Sequence, residues 1–416
     1  LPAPADTPST FAASKRYTFL HVLFEMSAFS LASLAAWAFV VLVAGMVRGR
    51  PFVIFVAVML GIYTLVAVSL APHAGILFPA YAYVHATVYA NFAFLARPRM
   101  RPLAFRVLVS WPASWFLGST LLAFPWAIVA ALGLRPLGFF VPYAIALLGF
   151  IDTFVPRRET VHVVVGEPGG AELSRSVSSG VRDARPLRII QITDPHLGPF
   201  MSVKRLRGIC ERAVAARPDL VLLTGDFLTM ESQADLTLLG RALAPLKELE
   251  GRCFACLGNH DLEAPDHVRA GLASAGVRLL VDEMTRVETP AGPVEILGFD
   301  FRFRDRKAHL DEVSARYPSR GGGLRIGLLH DPGAFRHLPD GTADLVLSGH
   351  THGGQLGLLW MGLPHTIVSA LSRVPDHGLW GRGKDRLYVH RGTGHYGFPL
   401  RLGVPPEESL LELHRV

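Results

Sequence analysis

Cysteine is scarce in this chain. Only Cys210, Cys253 and Cys256 occur in 416 residues, an odd and low count that argues against a disulfide framework. Cys253 and Cys256 form a Cys-x-x-Cys, but redox pairs of that spacing sit at helix N-termini, where the thiolate is stabilised. Here they fall in the strand-like run Arg252-Cys-Phe-Ala-Cys-Leu257 and read as ordinary strand residues. Charge is scarce too. Charged residues make up 18% of the chain against 50% hydrophobic ones, which is too apolar for an ordinary soluble protein of this length. The depletion is greatest between Met26 and Phe154, and after Arg157 the composition becomes that of a soluble α/β domain. The expected organisation is a membrane region at 1–155, a linker with an edge strand at 156–186 and a globular domain at 187–416.

A spanning helix needs about 20 apolar residues. Five stretches qualify as candidates: Met26–Val47, Pro51–Leu70, Gly75–Ala96, Val107–Leu132 and Leu137–Phe154. Pro79 interrupts the third, although membrane helices tolerate proline. Ser14–Glu25 reads as an interfacial amphipathic stretch leading into the first span. That span is too long, and followed by too many others, to be a signal peptide. The opening residue is Leu1 rather than Met, which points to a longer translated product. With five spans, Arg48, Arg50, Arg97, Arg99, Arg101, Arg106, Arg157 and Arg158 share one side, against Lys15, Arg16 and Arg135 on the other. The positive-inside rule then places the C-terminal domain in the cytoplasm, on a multi-pass anchor in the inner (cytoplasmic) membrane. The net charge of +7 is explained largely by residues that flank apolar runs, so no nucleic-acid partner is expected. Polar residues within the spans are few: His85, Asn91 and Asp152 stand out. They lack the regular spacing or pairing of a transport path, so this half reads as an anchor or lipid-access module.

The soluble half has a different texture. Thr160–Val165 reads as an edge strand, and Gly166–Arg185, rich in Gly, Ser and charge, as a mobile loop. Short apolar runs follow at Leu187–Ile192, Leu220–Leu223, Cys253–Leu257, Val294–Leu297, Leu324–Leu329, Leu345–Leu347 and Leu387–Val389. Helical stretches at Val203–Ala216, Leu236–Leu249 and Pro265–Ala275 separate several of them. This alternation predicts an α/β domain with largely buried sheets.

Ligands bind at the carboxyl ends of strands in such sheets. Here those ends carry Asp194 and His196, Asp226, Asn259-His260-Asp261, His330, and His350 and His352. Imidazole with carboxylate suits Mn, Fe or Zn better than Ca or Mg, and Mn is the leading expectation. A carboxylate can bridge two ions. Two divalent metal ions can clamp the attacking and leaving oxygens of a phosphoryl transfer and turn a shared water into hydroxide near neutral pH. The leaving group still needs a proton. His260 is placed to give it, with Asp261 as the carboxylate that orients the ring.

Together, Asp194-Pro-His196, Gly225-Asp226, Gly258-Asn-His-Asp261, His330 and Gly349-His-Thr-His352 resemble the calcineurin-like metallophosphoesterase family in order and spacing, from about Leu187 to the C-terminus. The longer Gly349-His-Thr-His-Gly-Gly-Gln355 is similar to a branch of membrane-associated bacterial members, some of which hydrolyse UDP-2,3-diacylglucosamine. The tail, with Arg391-Gly-Thr-Gly394 and Pro405-Pro-Glu407, is similar to that branch too. The resemblance implies an α/β/β/α sandwich of two mixed sheets. It also implies that Asp194, His196 and His352 hold one metal, that Asn259, His330 and His350 hold a second, and that Asp226 bridges them. His260 would serve the leaving group. Thr229 stands where the family often has a second Asp, at a position that carries no metal.

Candidate substrate contacts are Arg302, Arg304 and Arg306, in a basic run beside Phe301 and Phe303, together with Arg391 and His395 in a loop near the site. Charge-assisted donors of this kind grip phosphates. The expected activity is hydrolysis of a phosphoester or pyrophosphate bond in a phosphorylated or nucleotide-linked lipid, the bilayer being the partner. The alternatives are a nuclease or cyclic-nucleotide phosphodiesterase of the same family, and a transporter or sensor whose phosphoesterase domain is inactive.

Overall fold

Prolines set the helix starts in the apolar half. Helices Arg50–Leu70, Phe78–Leu95, Trp111–Leu122, Phe124–Ala131 and Val141–Asp152 each have Pro in the first turn, where no intrahelical N–H is lost. Pro79 therefore opens its helix rather than interrupting it. Pro125 restarts the chain inside the expected fourth span, and Leu103–Leu122 and Phe124–Ala131 meet at 59°.

The computed structural model describes residues 28–167, 169–170, 172–175, 185–319, 323–398 and 400–415. Ser14–Glu25, Lys15, Arg16 and much of Gly166–Arg185 lie outside the described residues. Among the described residues, Ala28–Val47 and Arg50–His73 are long and apolar enough to cross a bilayer, and the bent pair would add a third span. The other two of the five expected segments differ for physical reasons. Phe78–Leu95 has 18 residues but includes His85, Asn91 and three tyrosines. Val141–Asp152 has 12 residues, about 18 Å of helix against a hydrocarbon core of about 30 Å. The two long helices turn large apolar side chains outward, including Leu42 at 60% and Leu65 at 67% exposure, as lipid-facing helices do. Polar groups are gathered inside. Both ring nitrogens of His85 are partnered, by Ser33 Oγ at 2.9 Å and by the Tyr63 hydroxyl at 2.7 Å, so His85 ties three helices together.

The rest of the chain forms two mixed sheets. Sheet A contains β1 (Arg157–Val165), β13 (Glu407–Arg415), β3 (Leu187–Ile192), β4 (Leu220–Thr224), β5 (Cys253–Cys256) and β6 (Arg278–Leu279), in that order. Sheet B contains β2 (Ser174–Arg175), β11 (Gly378–Arg382), β12 (Asp385–Val389), β10 (Leu345–Ser348), β9 (Leu324–Leu328), β8 (Gly292–Gly298) and β7 (Glu283–Thr289). Strands β3 to β6 run parallel, as do β8, β9, β10 and β12.

Strand periodicity builds the layers. In β4, Leu220 and Leu222 face the other sheet with Ile326, Leu328, Leu345 and Leu347. Val221 and Leu223 face outward, under helices Val203–Ala215, Thr237–Leu243 and Pro265–Ser274. Helix Arg306–Arg316 covers sheet B through Leu310 and Val313. The result is an α/β/β/α sandwich behind a set of apolar helices.

The edge strand after the last apolar helix is longer than Thr160–Val165. It starts at Arg157 and pairs in parallel with β13 from Arg157↔Glu407 to Val165↔Arg415. Cys253 and Cys256 are buried, unoxidised strand residues. Burial pushes the Cys253 thiol up to about 12. The helices rest on the domain through hydrogen bonds as well as apolar contact. Trp111 Nε1 donates to the Pro199 carbonyl at 3.0 Å, Arg205 Nη2 to the Thr153 carbonyl at 3.0 Å, and the Arg401 amide to the Gly149 carbonyl at 3.1 Å.

Candidate metal centre

Parallel strands of both sheets deliver their C-terminal ends to one place. Strand β3 supplies Asp194 and His196, β4 supplies Asp226, β5 leads to Asn259 and His260, β9 to His330, and β10 to His350 and His352. Two groups of donors result. Asp194, His196 and His352 each offer one ligand atom, all within 4.8 Å of one another, and so do Asp226, His330 and His350. The groups touch. Asp226 Oδ2 is 3.3 Å from His330 Nε2 and 3.6 Å from His196 Nε2, which in turn is 3.2 Å from His352 Nε2.

The backbone is strained to achieve this. Asp194, His196, Asp226, His350 and His352 have φ of 50°, 43°, 57°, 67° and 51°. Left-handed backbone at a non-glycine residue costs about 1–3 kcal/mol each, and five instances in one cluster point to function. Two glycines make room. A Cβ on Gly258 would collide with Asp226 Oδ1, and one on Gly349 with Asp194 Oδ2.

Neighbouring groups fix the donors. Thr193 Oγ1 and the His350 amide donate to the Asp194 carboxylate at 2.7 and 3.1 Å. The His260 amide donates to Asp226 Oδ1 at 2.8 Å. His330 Nδ1 binds the Thr224 carbonyl at 2.6 Å, which turns Nε2 toward the site. Burial pushes His196 down to about 3 and His350 down to about 4, and it pushes Asp194 up to about 6. Burial also opposes charge on His330, but Asp226 and Asp194 outweigh it and raise that ring to about 10. At His330 the two carboxylates therefore favour positive charge over the cost of burial, whereas at His196 and His350 burial prevails. Asn259 Oδ1 is buried without a hydrogen-bond partner, an arrangement that costs about 1–3 kcal/mol unless something binds there. Carboxylate, imidazole and amide oxygen together fit borderline divalent ions.

A family model described as calcineurin-like phosphoesterase matches residues 187–354. The phosphodiesterase YaeI of Escherichia coli is 32% identical over 253 residues, covering 59% of this chain and 90% of that protein. The chain belongs to the calcineurin-like phosphoesterase family. It is a metal-dependent hydrolase, and the family binds two divalent metal ions. An uncharacterized metallophosphoesterase of Bacillus subtilis, YkoQ, is 30% identical over 285 residues, 66% of this chain and all of that protein. A protein named UDP-2,3-diacylglucosamine pyrophosphatase LpxG, from Chlamydia muridarum, is 29% identical over 277 residues, 54% of this chain and 83% of its own. The two helices long and apolar enough to cross a bilayer make this a membrane-associated member of the family.

The phosphoesterase site differs from the sequence expectation at several residues. Asp261 does not orient His260. Its buried carboxylate accepts the amides of Asp226, Phe227 and Gly258, each at 2.8 Å, so it shapes the loops that carry Asp226 and Asn259. The partner of His260 is Glu263, whose Oε1 lies 3.0 Å from Nδ1. His260 belongs to neither donor group; its ring packs on Tyr396 at 4.1 Å and lies edge-on to His196 at 5.3 Å.

Arg391 is not a substrate contact. It is buried and ion-paired with Glu407 at 2.8 Å and with Glu159, so its charge is already spent on the fold. Arg306 pairs with Asp331 at 2.6 Å and Arg302 with Asp300 at 3.3 Å, whereas Arg304 is exposed. Phe301 stands 6.0 Å from His330 and 6.2 Å from His350, and it stacks edge-on with the exposed Phe303. His395 is buried, 4.6 Å from Phe200.

Three further residues belong to the site. Glu263 was legible as His260-x-x-Glu263, because residues three apart eclipse in a 3-10 turn. Tyr396 ends a loop already expected near the site. Arg401 carried no sequence signal. It is fully buried, with Nη2 3.1 Å from His352 Nδ1 and 2.8 Å from the Arg391 carbonyl.

Proposed function

We propose that this protein hydrolyses a phosphodiester or pyrophosphate bond in a lipid-linked substrate, UDP-2,3-diacylglucosamine being the leading example. The observation that carries this reading is that the loop after His196 is itself the docking point for the apolar helices, with Pro199 accepting from Trp111. A site built against lipid-facing helices suits a substrate held in a bilayer. The name of the Chlamydia relative supports the same chemistry.

Asp194, His196 and His352 would hold one ion, Asn259, His330 and His350 the other, with Asp226 between them. Manganese is the preferred ion. When bound, the pair supplies Lewis-acid polarisation of the phosphoryl oxygens and a nucleophilic water at neutral pH. His260, steered by Glu263, gives its proton to the leaving oxygen. Asp261 holds the Asp226 and Gly258 amides in place. The reading includes a multi-pass inner-membrane anchor with the domain in the cytoplasm, supported by Arg99, Arg101 and Arg106, which lie beside Pro199 and Glu231 on the domain's side of the apolar helices, the side the positive-inside rule assigns to the cytoplasm. The proposed division is 1–155, 156–186 and 187–416, with β1 of the middle segment forming the edge of the catalytic sheet.

The test uses the full-length protein in detergent with Mn2+ and UDP-2,3-diacylglucosamine. Mass spectrometry should detect UMP and the acylated sugar phosphate, and His260→Ala should slow the release of both by about 100-fold or more. Turnover of soluble phosphomonoesters alone would sink the lipid-linked reading.

A further inference from the structure

A cavity of about 310 Å³ lies between the apolar helices and the metal centre. Its volume falls in the range of roughly 300–1,000 Å³ typical of small-molecule sites. One wall comes from the helices, through Met59, Phe92, Ser114 and Leu117. The opposite wall comes from the catalytic loops, through Phe200, Met230, His395 and Phe398. At one end it includes His196, a member of the first donor group, and Tyr396, which stacks on His260. It also includes Phe55, which is 47% exposed on the outward face of Arg50–Leu70. The cavity thus connects the lipid-facing side of a membrane-length helix with the reaction centre. Its lining includes no Lys or Arg to grip a second anionic head, and away from the metal-centre end its polar groups are Asn91, Ser110, Ser114, Thr229 and Glu231. The Glu231 carboxylate is already engaged, accepting from Thr229 Oγ1 at 2.7 Å.

We infer that this cavity binds an alkyl chain of the substrate while its phosphate sits at the metal centre, so that helices Arg50–Leu70, Phe78–Leu95 and Trp111–Leu122 act as specificity elements as well as an anchor. This rests on the lipid-linked reading above. Three features select a substrate chain as the occupant. The wall is mostly apolar, one end is the hydrolytic site, and the same space reaches a helix face suited to lipid. Each buried methylene is worth roughly fourfold in binding, so filling the cavity with an indole should cost a long-chain substrate at least about tenfold.

The test uses the full-length protein in detergent with Mn2+. First, a dodecyl phosphate carrying a terminal diazirine is photolysed on the wild-type protein. Label should appear on peptides containing Met59, Phe92 or Ser114, and excess dodecyl phosphate should suppress it. Label elsewhere, or equal label from a dodecanol probe without phosphate, would overturn the assignment to a substrate chain. Second, kcat/KM is measured for the p-nitrophenyl phosphodiesters of methanol and dodecanol. The dodecyl-to-methyl ratio should fall about tenfold or more in Ser114→Trp and in Met59→Trp, and an unchanged ratio in both variants would overturn the proposal. The photolabel needs no variant, so misfolding of one does not remove the test. Methyl-ester turnover with an unlabelled cavity would overturn the cavity and leave phosphodiester hydrolysis standing. Specific cavity labelling without turnover of either diester or of UDP-2,3-diacylglucosamine would support the cavity and overturn the hydrolytic reading.

Discussion

His260 Nδ1 and Glu263 Oε1 lie 3.0 Å apart, within a single 3-10 turn. This places the only carboxylate hydrogen-bonded to the His260 ring, among the described residues, three positions downstream rather than next door. His260→Ala should lower kcat by about 100- to 10,000-fold, the usual contribution of a general acid. Glu263→Gln should lower it less, and it should change the pH profile. Burial works against a proton on His260, but Glu263 and Asp226 raise its pKa overall. Removing the Glu263 charge should lower that pKa and bring the alkaline fall in rate to lower pH. A profile that keeps its position in Glu263→Gln would argue against this pairing.

Metal content provides an independent check of the donor assignment. Asp226→Asn should reduce the ions bound per chain, measured by elemental analysis after Mn2+ loading, from about two to about one or fewer. Gly349→Ala should act similarly without removing any ligand, because the added Cβ would collide with Asp194 Oδ2. Full metal content in both variants would contradict the proposed roles of Asp226 and Asp194.

Arg391 and Glu407 make a different prediction, about stability. Both are buried, and Glu407 also accepts from Tyr388 and from Ser409 at 2.6 Å. Removing one partner of a buried ion pair costs about 3–5 kcal/mol, so Arg391→Ala should lower the melting temperature by several degrees or more while KM stays close to wild type. Burial disfavours charge on Glu407, but His390 and Arg391 prevail and hold its carboxyl well below the usual range. Its contribution to stability is therefore complete above the unfolded-state carboxylate pKa. It is lost as pH falls through the lower folded-state value. Acid unfolding curves of wild type and Arg391→Ala should converge in that acidic range.

The cysteines should be silent. With its thiol pushed up to about 12, Cys253 is thiolate in about one part in ten thousand at pH 8. Ellman's reagent should find almost no reactive thiol in the folded protein and three per chain in denaturant, the full cysteine count. Rapid reaction of the Cys253–Cys256 pair under native conditions would reopen a redox role.

The strand-end residues were legible because polar, metal-competent side chains recur after short apolar runs, a local pattern. The α/β character followed from the same runs, and the two-sheet sandwich from the resemblance that those strand-end residues carry. Other features depended on tertiary pairing. Asp261 turns to backbone amides rather than to its neighbour His260, a choice set by the fold of the Gly225–Phe227 loop. Arg391 looked like a phosphate grip until Glu159, 232 residues earlier, was found beside it. The length of β1 comes from a partner at the far end of the chain. In the apolar half, hydropathy located the longer helices among the described residues but overestimated their continuity, because it does not distinguish a proline that starts a helix from one that lies inside it.

The pairing of β1 with β13 also governs how the enzyme finds its substrate. Four residues, 153–156, separate the last apolar helix from β1. One of them, Thr153, is held by Arg205 through its carbonyl, and just beyond them the Arg157 amide donates to the Pro406 carbonyl. So short a tether leaves the catalytic domain little freedom to swing into bulk solvent. For the lipid-linked substrate proposed above, encounter would then be a search in two dimensions, with the metal centre kept at a fixed height above the plane in which that substrate diffuses.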